Sequence, residues 1–303
     1  MGNAAGMTDT VTGKTLDIYI RPEFEAGELG AAQNVDVERQ LSAWERFSNI
    51  NAVRKLSILL MLVVAWELYT WISEVEELLF PSFSQSVAVL WKTIVSGLMF
   101  EKVWITVYVL LLGYAAGLAL AALFLVLAVS TRVGSDFLST MTAMFQPLPA
   151  ISLLPLAMLW FGLGIPSLVF VTIHSVLWAV SLSTHVGFMS VSETLRMVGR
   201  NYGLKGIPYI FKILVPAAFS SILTGLKVGW AFAWRTLIGA ELVFGAAAGS
   251  GGLGWMIFEK GDNLDTPYVF AALFVVIVIG LLVENVIFRN VEMNTINKWG
   301  MQR

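Results

Sequence analysis

The sequence predicts an all-α integral membrane protein with six transmembrane helices. Three observations lead to this fold class: the composition, the lengths of the apolar segments and the distribution of positive charge. Of 303 residues, 57% are hydrophobic and only 13% are charged, and the mean hydropathy is +0.76. Soluble domains carry about 25% charged residues, so this composition indicates that lipid surrounds most of the chain.

The composition also argues against several function classes. A net charge of −2 does not suit a nucleic-acid partner, which requires a basic face. The chain contains no cysteine, which removes disulfides, thiolate metal sites and cysteine nucleophiles. Only two histidines, His174 and His185, are available to a metal, and no nucleophile–base arrangement supports an enzyme.

The first 52 residues precede the membrane region. Residues 1–35 are polar and glycine-rich, and they are expected to form a flexible cytoplasmic tail. Residues 36–52 carry apolar side chains at helical spacing with charged residues between them. This pattern predicts an amphipathic helix that lies in the membrane interface or packs on a soluble partner. Its apolar positions are Val37, Leu41, Trp44, Phe47 and Ile50.

Six apolar segments then define a membrane domain over residues 53–290, followed by a cytoplasmic C-terminal tail over 291–303. A helix needs about 20 apolar residues to cross the hydrocarbon core, and the first segment is marginal in length. Pro147, Pro149 and Pro155 interrupt the third segment, which is long enough to tolerate a kink. The segments are Leu56–Ile72, Val103–Val129, Asp136–Phe161, Ser167–Gly187, Ala217–Phe244 and Tyr268–Phe288.

Lysine and arginine predict which side of the membrane each connection occupies. Counted from Arg54 onward, one set of connections, which includes the C-terminal end, holds ten of these residues. The alternate set holds three, offset by seven acidic residues. Positive residues favour the cytoplasmic side. Both termini and the loop over residues 191–216 are therefore expected in the cytoplasm.

Two patterns concern helix packing. The turn Phe80-Pro81-Ser82-Phe83-Ser84 precedes a short amphipathic helix predicted on the outer face. Glycines four residues apart in the second segment (Gly113 and Gly117) and the fifth (Gly225 and Gly229) would let helices approach closely.

Two glycine motifs do not predict nucleotide binding. Gly13-Lys14-Thr15 lacks the upstream glycine, the preceding strand and the following apolar helix of a phosphate-binding loop. Any ATP-driven function therefore needs another subunit. The run from Gly249 to Gly254 follows a membrane helix rather than a strand. It is interpreted as a flexible outer turn leading into a short helix at Trp255–Glu259.

Six ionisable residues fall within the apolar segments, where a buried charge faces a cavity or a partner helix. They are Glu67, His174, Lys227, Arg235, Glu241 and Glu284. Arg235 and Glu241 cannot pair within one helix, because six residues place them about 240° apart. Arg235 either attracts an anionic substrate or forms a buried pair that locks helices. The candidate residues of a substrate path are Arg235, Glu241, His174 and Trp234.

The cytoplasmic loop over residues 191–216 has an ordered pattern. Ser192 can cap a helix that begins at Glu193, and Gly203 fits a helix stop. Leu195, Val198 and Tyr202 give that helix one apolar face. A second helical stretch leads from residue 208 to 216. Such a helix is suited to hold an external motor, whereas an ordinary solvated loop would not need this face.

These residues resemble a family. Gly203, nine intervening residues, and then Ile213, Val215 and Pro216 resemble the EAA loop of importer-type ABC transporter permeases. The Glu-Ala-Ala positions of that loop are Met197-Val198-Gly199 here, so the usual acidic contact is missing. Other segments resemble the permeases of one subgroup of this family, which imports nitrate, bicarbonate, taurine and alkanesulfonates. They are Pro147-x-Pro149, Leu154–Gly164, Pro216–Ala218, Leu223–Lys227, Ala240-Glu241 and Gly252–Gly254.

The resemblance covers roughly Leu56 to Phe288 and implies a type I importer-permease fold in a bacterial inner membrane. It implies a second permease copy, two cytoplasmic ATPase subunits and an extracytoplasmic substrate-binding protein. It also implies alternating access for a small anion, with ATP and Mg bound by the ATPase and no cofactor in this chain. The residues expected to couple to the ATPase are Glu193, Arg196, Met197, Val198, Gly199, Arg200, Gly203, Ile213 and Pro216.

Two other functions are considered. An ion-coupled secondary transporter would use Glu67, Arg235 and Glu241 as relay groups, but it would not require the ordered cytoplasmic loop. A membrane scaffold would leave the intramembrane charges without a role.

Overall fold

The computed structural model describes residues 51–73, 76, 78–244 and 251–297, and the regular structure in these ranges is entirely helical. The predicted tail over residues 1–35, residues 36–50 of the predicted interfacial helix and residues 298–303 lie outside them. The chain divides into two compact units, Met1–Leu60 and Met61–Arg303. Of the first unit, residues 51–60 are described, and they form the first turns of a helix.

The helices are labelled in chain order. They are α1 Asn51–Ile72, α2 Phe83–Val95, α3 Leu98–Ser130, α4 Arg132–Phe145, α5 Leu154–Phe161, α6 Ile165–Met189, α7 Glu193–Asn201, α8 Gly206–Tyr209, α9 Val215–Ala217, α10 Phe219–Phe244, α11 Leu253–Asp262, α12 Thr266–Leu282 and α13 Arg289–Glu292. A 3₁₀ turn over Ala150–Leu153 precedes α5. The π-helical turns are Ile210–Leu214, Val283–Phe288 and Met293–Asn297.

Within the described residues, four helices are long and apolar enough to cross a membrane. They cover Val53–Ile72, Leu98–Ser130, Ile165–Met189 and Thr266–Ile296, and they contain four of the six predicted segments. The other two segments belong to helix pairs that are long and apolar enough only when taken together, and each pair is sharply bent. The number of candidate spans is therefore four, or up to six if each bent pair is one span, which confirms an all-α integral membrane protein.

The two bends lie beside prolines. The third predicted segment is not one kinked helix, because Arg132–Phe145 and Ala150–Phe161 meet at 91°. Pro147 and Pro149 stand between them, and proline can neither donate a helical hydrogen bond nor leave room for the preceding turn. In the fifth segment, Gly206–Ala217 and Phe219–Val243 are bent by 82°, so the long helix begins at Phe219 rather than at the predicted Ala217.

Helix α6 lies at the centre of the packing, and more than half of its most apolar stretch is buried. It packs mainly against α3 and α10. The predicted glycine pairs account for these contacts. A Cβ on Gly113 would stand 2.5 Å from Cβ of Thr172, and one on Gly229 would stand 2.9 Å from Cγ2 of Val180. Glycine is needed there because the neighbouring helix occupies the space of a side chain.

Helix α2 confirms the predicted short helix after the turn at residues 80–84. Ser82 caps it, and Gln85 completes a capping box. Glu67 of α1 adds a further contact, because its Oε1 accepts a 2.6 Å hydrogen bond from Ser84 Oγ. Glu67 therefore has a local structural partner. The neighbouring Trp66 donates from Nε1 to the carbonyl of Pro81 at 3.0 Å.

Candidate functional site

Helix α7 begins and ends where its sequence predicts. The Ser192 side chain accepts a hydrogen bond from the amide of Leu195 at 3.4 Å, which caps the helix. After the helix, Gly203 adopts a φ of +69°, a left-handed conformation that favours glycine. The amide of Leu204 then closes the end by donating to the carbonyl of Gly199 at 3.0 Å.

Two residues fix α7 to its neighbours, one to the end of α6 and one to the loop that follows α7. The Arg196 guanidinium donates to the carbonyl of Phe188 at 2.6 Å and to that of Val191 at 3.1 Å, and so holds α7 against the C-terminal end of α6. Gly199 is buried, and a Cβ there would stand 2.9 Å from Tyr209 and 3.0 Å from Ile213. Gly199 thus permits close contact at the third Glu-Ala-Ala position.

The other predicted coupling residues point away from these contacts. Met197 and Val198 are 49% and 41% exposed, and the nearby Tyr202 is 81% exposed. Glu193 and Arg200 form an exposed ion pair with a 3.7 Å separation. Helix α7 therefore offers apolar side chains and charges together on an accessible face, although exposed ion pairs contribute little to stability.

The rest of the loop connects α7 to α10. Ile210 and Leu214 are buried, and Ile213 lies against α7 through Gly199. Pro216 lies in α9, at the end of the helical stretch Gly206–Ala217 and beside the bend that precedes α10. Through α8, the π-helical turn and α9, the loop reaches the bend at Ala218 and continues as α10.

A cavity of about 330 Å³ brings together two of the four predicted path residues, His174 and Arg235. Arg235 lies sixteen residues into α10 and His174 fifteen residues before the end of α6. At 1.5 Å per residue, each position is on the order of 23 Å along its helix from the end that is nearer α7 in the chain. The two residues therefore lie at a similar depth. A 2.9 Å hydrogen bond between Ser175 Oγ and Thr236 Oγ1 joins the helices at this level. The lining is Phe145, Gln146, Pro147, Leu148, Pro149, Ala150, Ile151, His174, Ser175, Trp178, Ala179, Phe232, Arg235 and Thr236.

The cavity is rich in nitrogen groups that lack protein partners. Within the described part of the chain, both ring nitrogens of His174 and Nε1 of Trp178 are buried without a hydrogen bond. Arg235 is exposed and makes neither a hydrogen bond nor an ion pair with any described residue. Phe145 stacks on Trp178 with ring centroids 5.2 Å apart. One cation and several potential donors beside an aromatic wall suit a small anion.

The other two predicted path residues lie elsewhere. Trp234 is buried in the helix core, with 7% of its surface exposed. Glu241 is 1% exposed, and its Oε2 accepts hydrogen bonds from Thr106 Oγ1 and from the amide of Gly254, both at 2.9 Å. The structure therefore separates Glu241 from the cavity that Arg235 and His174 line.

The predicted flexible outer turn needs a correction. Gly252 and Gly254 are buried, and the helix that follows is longer than predicted, running over Leu253–Asp262 instead of Trp255–Glu259. Contacts to Thr106 and Glu241 fix this segment. The glycine pattern alone did not reveal them, because both partners are distant in sequence. Gly249 and Ser250 lie outside the described residues.

Sequence reasoning also missed several members of the cavity. Trp178, Ser175 and Thr236 carry no charge, and only their helical register with His174 and Arg235 could have indicated them. Of the remaining intramembrane charges, Lys227 pairs with Glu292 at 2.5 Å, and Glu284 lines a polar cavity beside that pair. The described residues contain no group of three or more possible metal ligands.

Comparison with known proteins agrees with a membrane transport function. The putative aliphatic sulfonates transport permease protein SsuC of Escherichia coli (strain K12) is 26% identical over 223 residues, which are 74% of this chain and 83% of that protein. The taurine transport system permease protein TauC of the same organism is 31% identical over 46% of this chain and 50% of its own length. The nitrate import permease protein NrtB of Synechocystis sp. (strain ATCC 27184 / PCC 6803 / Kazusa) is 28% identical over 58% of this chain and 62% of its own.

The apolar helices and these relatives define a multi-pass transport protein of the inner membrane. Residues 113–291 match the family described as binding-protein-dependent transport system inner membrane component, and the chain belongs to that family. The expected resemblance to permeases of the sulfonate, taurine and nitrate subgroup is thereby confirmed.

Proposed function

We propose that this chain forms the translocation path for a small anion in an ATP-driven importer. The observation that carries the proposal is the position of Arg235, a cation in a membrane helix that borders a cavity without a counter-charge among the described residues. A charge at this depth is costly unless a partner or an aqueous path compensates for it. A transported anion would provide that compensation.

The surroundings of Arg235 support this assignment. The buried nitrogens of His174 and Trp178 lack partners, and the described lining contains no carboxylate that would repel an anion. The cavity volume of about 330 Å³ is ample for a small sulfonate or nitrate. The relatives are named for aliphatic sulfonates, taurine and nitrate, and we propose a substrate from this class of anions.

The proposed assembly contains two copies of this chain, two cytoplasmic ATPase subunits and an extracytoplasmic binding protein. The exposed face of α7 supports ATPase docking there, and the connection through α9 to α10 offers a route from α7 to Arg235. In this assembly α7 docks through Met197, Val198 and the Glu193–Arg200 pair, whereas Arg196, Gly199, Gly203, Ile213 and Pro216 hold the helix in position. The cycle is alternating access, a shift between two packings driven by ATP in the partner subunits.

The proposed topology has six spans over residues 53–290, with both termini in the cytoplasm. The charge asymmetry of the connections supports this orientation. In this topology α7 is cytoplasmic and α11 lies on the outer face. Residues 1–35 and 291–303 are cytoplasmic tails, and residues 36–52 form the interfacial helix.

The first experiment measures ATP-dependent uptake of taurine, methanesulfonate and nitrate into proteoliposomes that hold the complex with its ATPase and binding protein. Arg235→Ala should reduce uptake of the transported anion at least tenfold, since a hydrogen bond to a charged group contributes roughly 1.5–3 kcal/mol. Arg235→Lys keeps the charge and should retain part of the activity.

Arg132→Ala is the matched control, because Arg132 is exposed at the start of α4 and does not line the cavity. It should transport at the wild-type rate. Normal uptake by an assembled Arg235→Ala complex would assign Arg235 to structure instead. Vanadate should abolish wild-type uptake, whereas uptake driven by an ion gradient without ATP would support a secondary transporter.

A further inference from the structure

The first turn of α11 is capped by side chains from two other helices. Its N-cap residue is Gly252, which has no side chain to accept from the free amides of the helix. Instead, Thr106 Oγ1 of α3 accepts from the amide of Leu253 at 2.8 Å. Glu241 Oε2 of α10 accepts from the amide of Gly254 at 2.9 Å. Side chains from two distant helices thus provide the hydrogen-bond acceptors that a single N-cap side chain usually provides.

A third hydrogen bond joins the two capping side chains. Thr106 Oγ1 donates to Glu241 Oε2 at 2.9 Å, so the threonine hydroxyl uses both its donor and an acceptor position. Thr106 and Leu253 are completely buried, and Glu241 is 1% exposed. Water therefore cannot replace a lost partner in this cluster, which we call the α11 clasp: Thr106, Glu241 and the amides of Leu253 and Gly254.

The glycines on either side of Leu253 leave the space that the clasp occupies. A Cβ on Gly252 would collide with Thr106 Oγ1 and Glu241 Oε1. A Cβ on Gly254 would collide with the carbonyl oxygen of Ile238 and stand 2.6 Å from Cβ of Glu241. The backbone of α11 can approach α10 this closely only without side chains at these two positions.

Charge also favours this arrangement. The positive end of the α11 helix dipole faces the Glu241 carboxylate. Lys102, one helical turn before Thr106 on α3 and itself buried, acts on the same carboxylate electrostatically. The clasp therefore places a buried acidic side chain beside a helix end and a cation, with Oε2 hydrogen-bonded and Oε1 buried without a partner among the described residues.

We infer that Glu241 and Thr106 are positioning residues that make α11 move as one body with α3 and α10. Helix α2 provides the contrast, because Ser82 and Gln85 cap it from its own sequence and Glu67 is only an addition. Helix α11 has no such local cap, so the capping of its first turn depends on the two spans. Since Arg235 is also on α10, the clasp joins α11 to the helix that lines the anion cavity.

The functional consequence rests on the proposed importer function. In that topology α11 lies on the outer face, where the binding protein must dock. The clasp would then transmit a contact on α11 to α10. Weakening it should alter the response to the binding protein more than the basal ATPase rate.

Hydrogen exchange of the assembled complex in nanodiscs tests the clasp directly. In Thr106→Val, which keeps the shape and removes the hydroxyl, a peptide covering residues 251–262 should exchange roughly tenfold faster, because a lost cap destabilises the helix end. Glu241→Ala should give at least the same effect. Thr106→Ser keeps the hydroxyl and should retain wild-type protection.

Glu67→Ala is the matched control, and its effect on a peptide covering α2 should be small because the capping box remains. The peptide of α2 should also keep its protection in Thr106→Val. Unchanged exchange of 251–262 in Thr106→Val and Glu241→Ala would overturn the inference. A uniform rise over all peptides would also overturn it, since it would indicate a general role in folding.

ATPase stimulation separates the clasp from the proposed transport function. Thr106→Val should raise the binding-protein concentration for half-maximal stimulation several-fold and leave the basal rate unchanged, and Thr106→Ser should restore the wild-type value. If residues 251–262 exchange faster but ATPase stimulation is unchanged, the clasp fixes α11 as inferred. That result would overturn its proposed role in the response to the binding protein. If Arg235→Ala does not affect uptake, this result contradicts the proposed anion path at Arg235. It does not bear on the α11 clasp.

Discussion

Arg235 and Glu241 show how neighbouring charges on one helix acquire different surroundings. Arg235 faces a cavity and has no hydrogen bond or ion pair among the described residues. Glu241, six residues later, is enclosed by Thr106 and the amide of Gly254. The helical rotation between them explains the difference, because about 240° separates their directions. One side chain is available to a ligand, and the other is occupied by the protein.

At the same scale, Gly199 sets how closely α7 packs on the loop that follows it. We predict that Gly199→Leu destabilises the complex by about 1–3 kcal/mol, since the side chain would enter the space of Tyr209 and Ile213. Gly199→Ala should have a smaller effect of the same sign. The measurement is the melting temperature of the assembled complex.

Asn201→Leu is the control for Gly199, because Asn201 lies on the same helix and is exposed. Its effect on stability should stay within about 0.5 kcal/mol. Equal melting temperatures for Gly199→Leu and Asn201→Leu would contradict the close contact at Gly199.

At the scale of elements, α7 is a short helix with well-defined ends and a fixed inner side. Nine residues are too few for a stable isolated helix in water. Its order therefore depends on the Ser192 cap, the Arg196 bonds and the turn at Gly203. A helix held in this way can transmit a displacement to α9 and α10 without unwinding.

The turn at Gly203 can be tested separately from packing. A Cβ there would meet no atom within 4 Å, so a substitution acts through the φ of +69° alone. We predict that Gly203→Val uncouples ATP hydrolysis from uptake, because a left-handed conformation costs a β-branched residue roughly 1–2 kcal/mol. Gly203→Asn should remain coupled, since asparagine tolerates this region. The ratio of uptake to ATP hydrolysis is the measurement, and an unchanged ratio in Gly203→Val would refute the prediction.

Helix ends and helix contacts with a local cause could be predicted from the sequence. Ser192 and Gly203 mark the ends of α7, and the Gly113 and Gly225 pairs mark surfaces that pack on α6. The 91° break between α4 and the Ala150–Phe161 helix was only indicated as a kink. Prolines show where a helix is interrupted, but the angle depends on the packing of the two halves.

At the scale of the whole molecule, the candidate site depends on contacts between distant parts of the chain. His174 and Arg235 were both singled out by the cost of burying a polar group in a membrane, but nothing local indicated that they share a cavity. The connection of Glu241 to Gly254 was missed for the same reason. Sequence periodicity describes one helix at a time, whereas these sites form where several helices meet.

The proposed topology gives a prediction for the molecule as a whole. Asn263 and Asn290 are exposed residues beyond opposite ends of α12. Because the chain has no cysteine, single substitutions create unique labelling sites. In intact cells stripped of any outer membrane, a membrane-impermeant maleimide should label Asn263→Cys, whereas Asn290→Cys should react only after detergent treatment. The reverse pattern would place α7 on the outer side and contradict ATPase docking there.

The α11 clasp has a consequence for how such proteins can be recombined. The segment 251–262 is continuous in sequence, but its first turn is completed by Thr106 and Glu241. A chimera that received this segment from a relative without matching residues at those positions would inherit a helix with two unsatisfied amides. The unit that can be exchanged is therefore discontinuous along the chain, and positions 106 and 241 must be exchanged together with it.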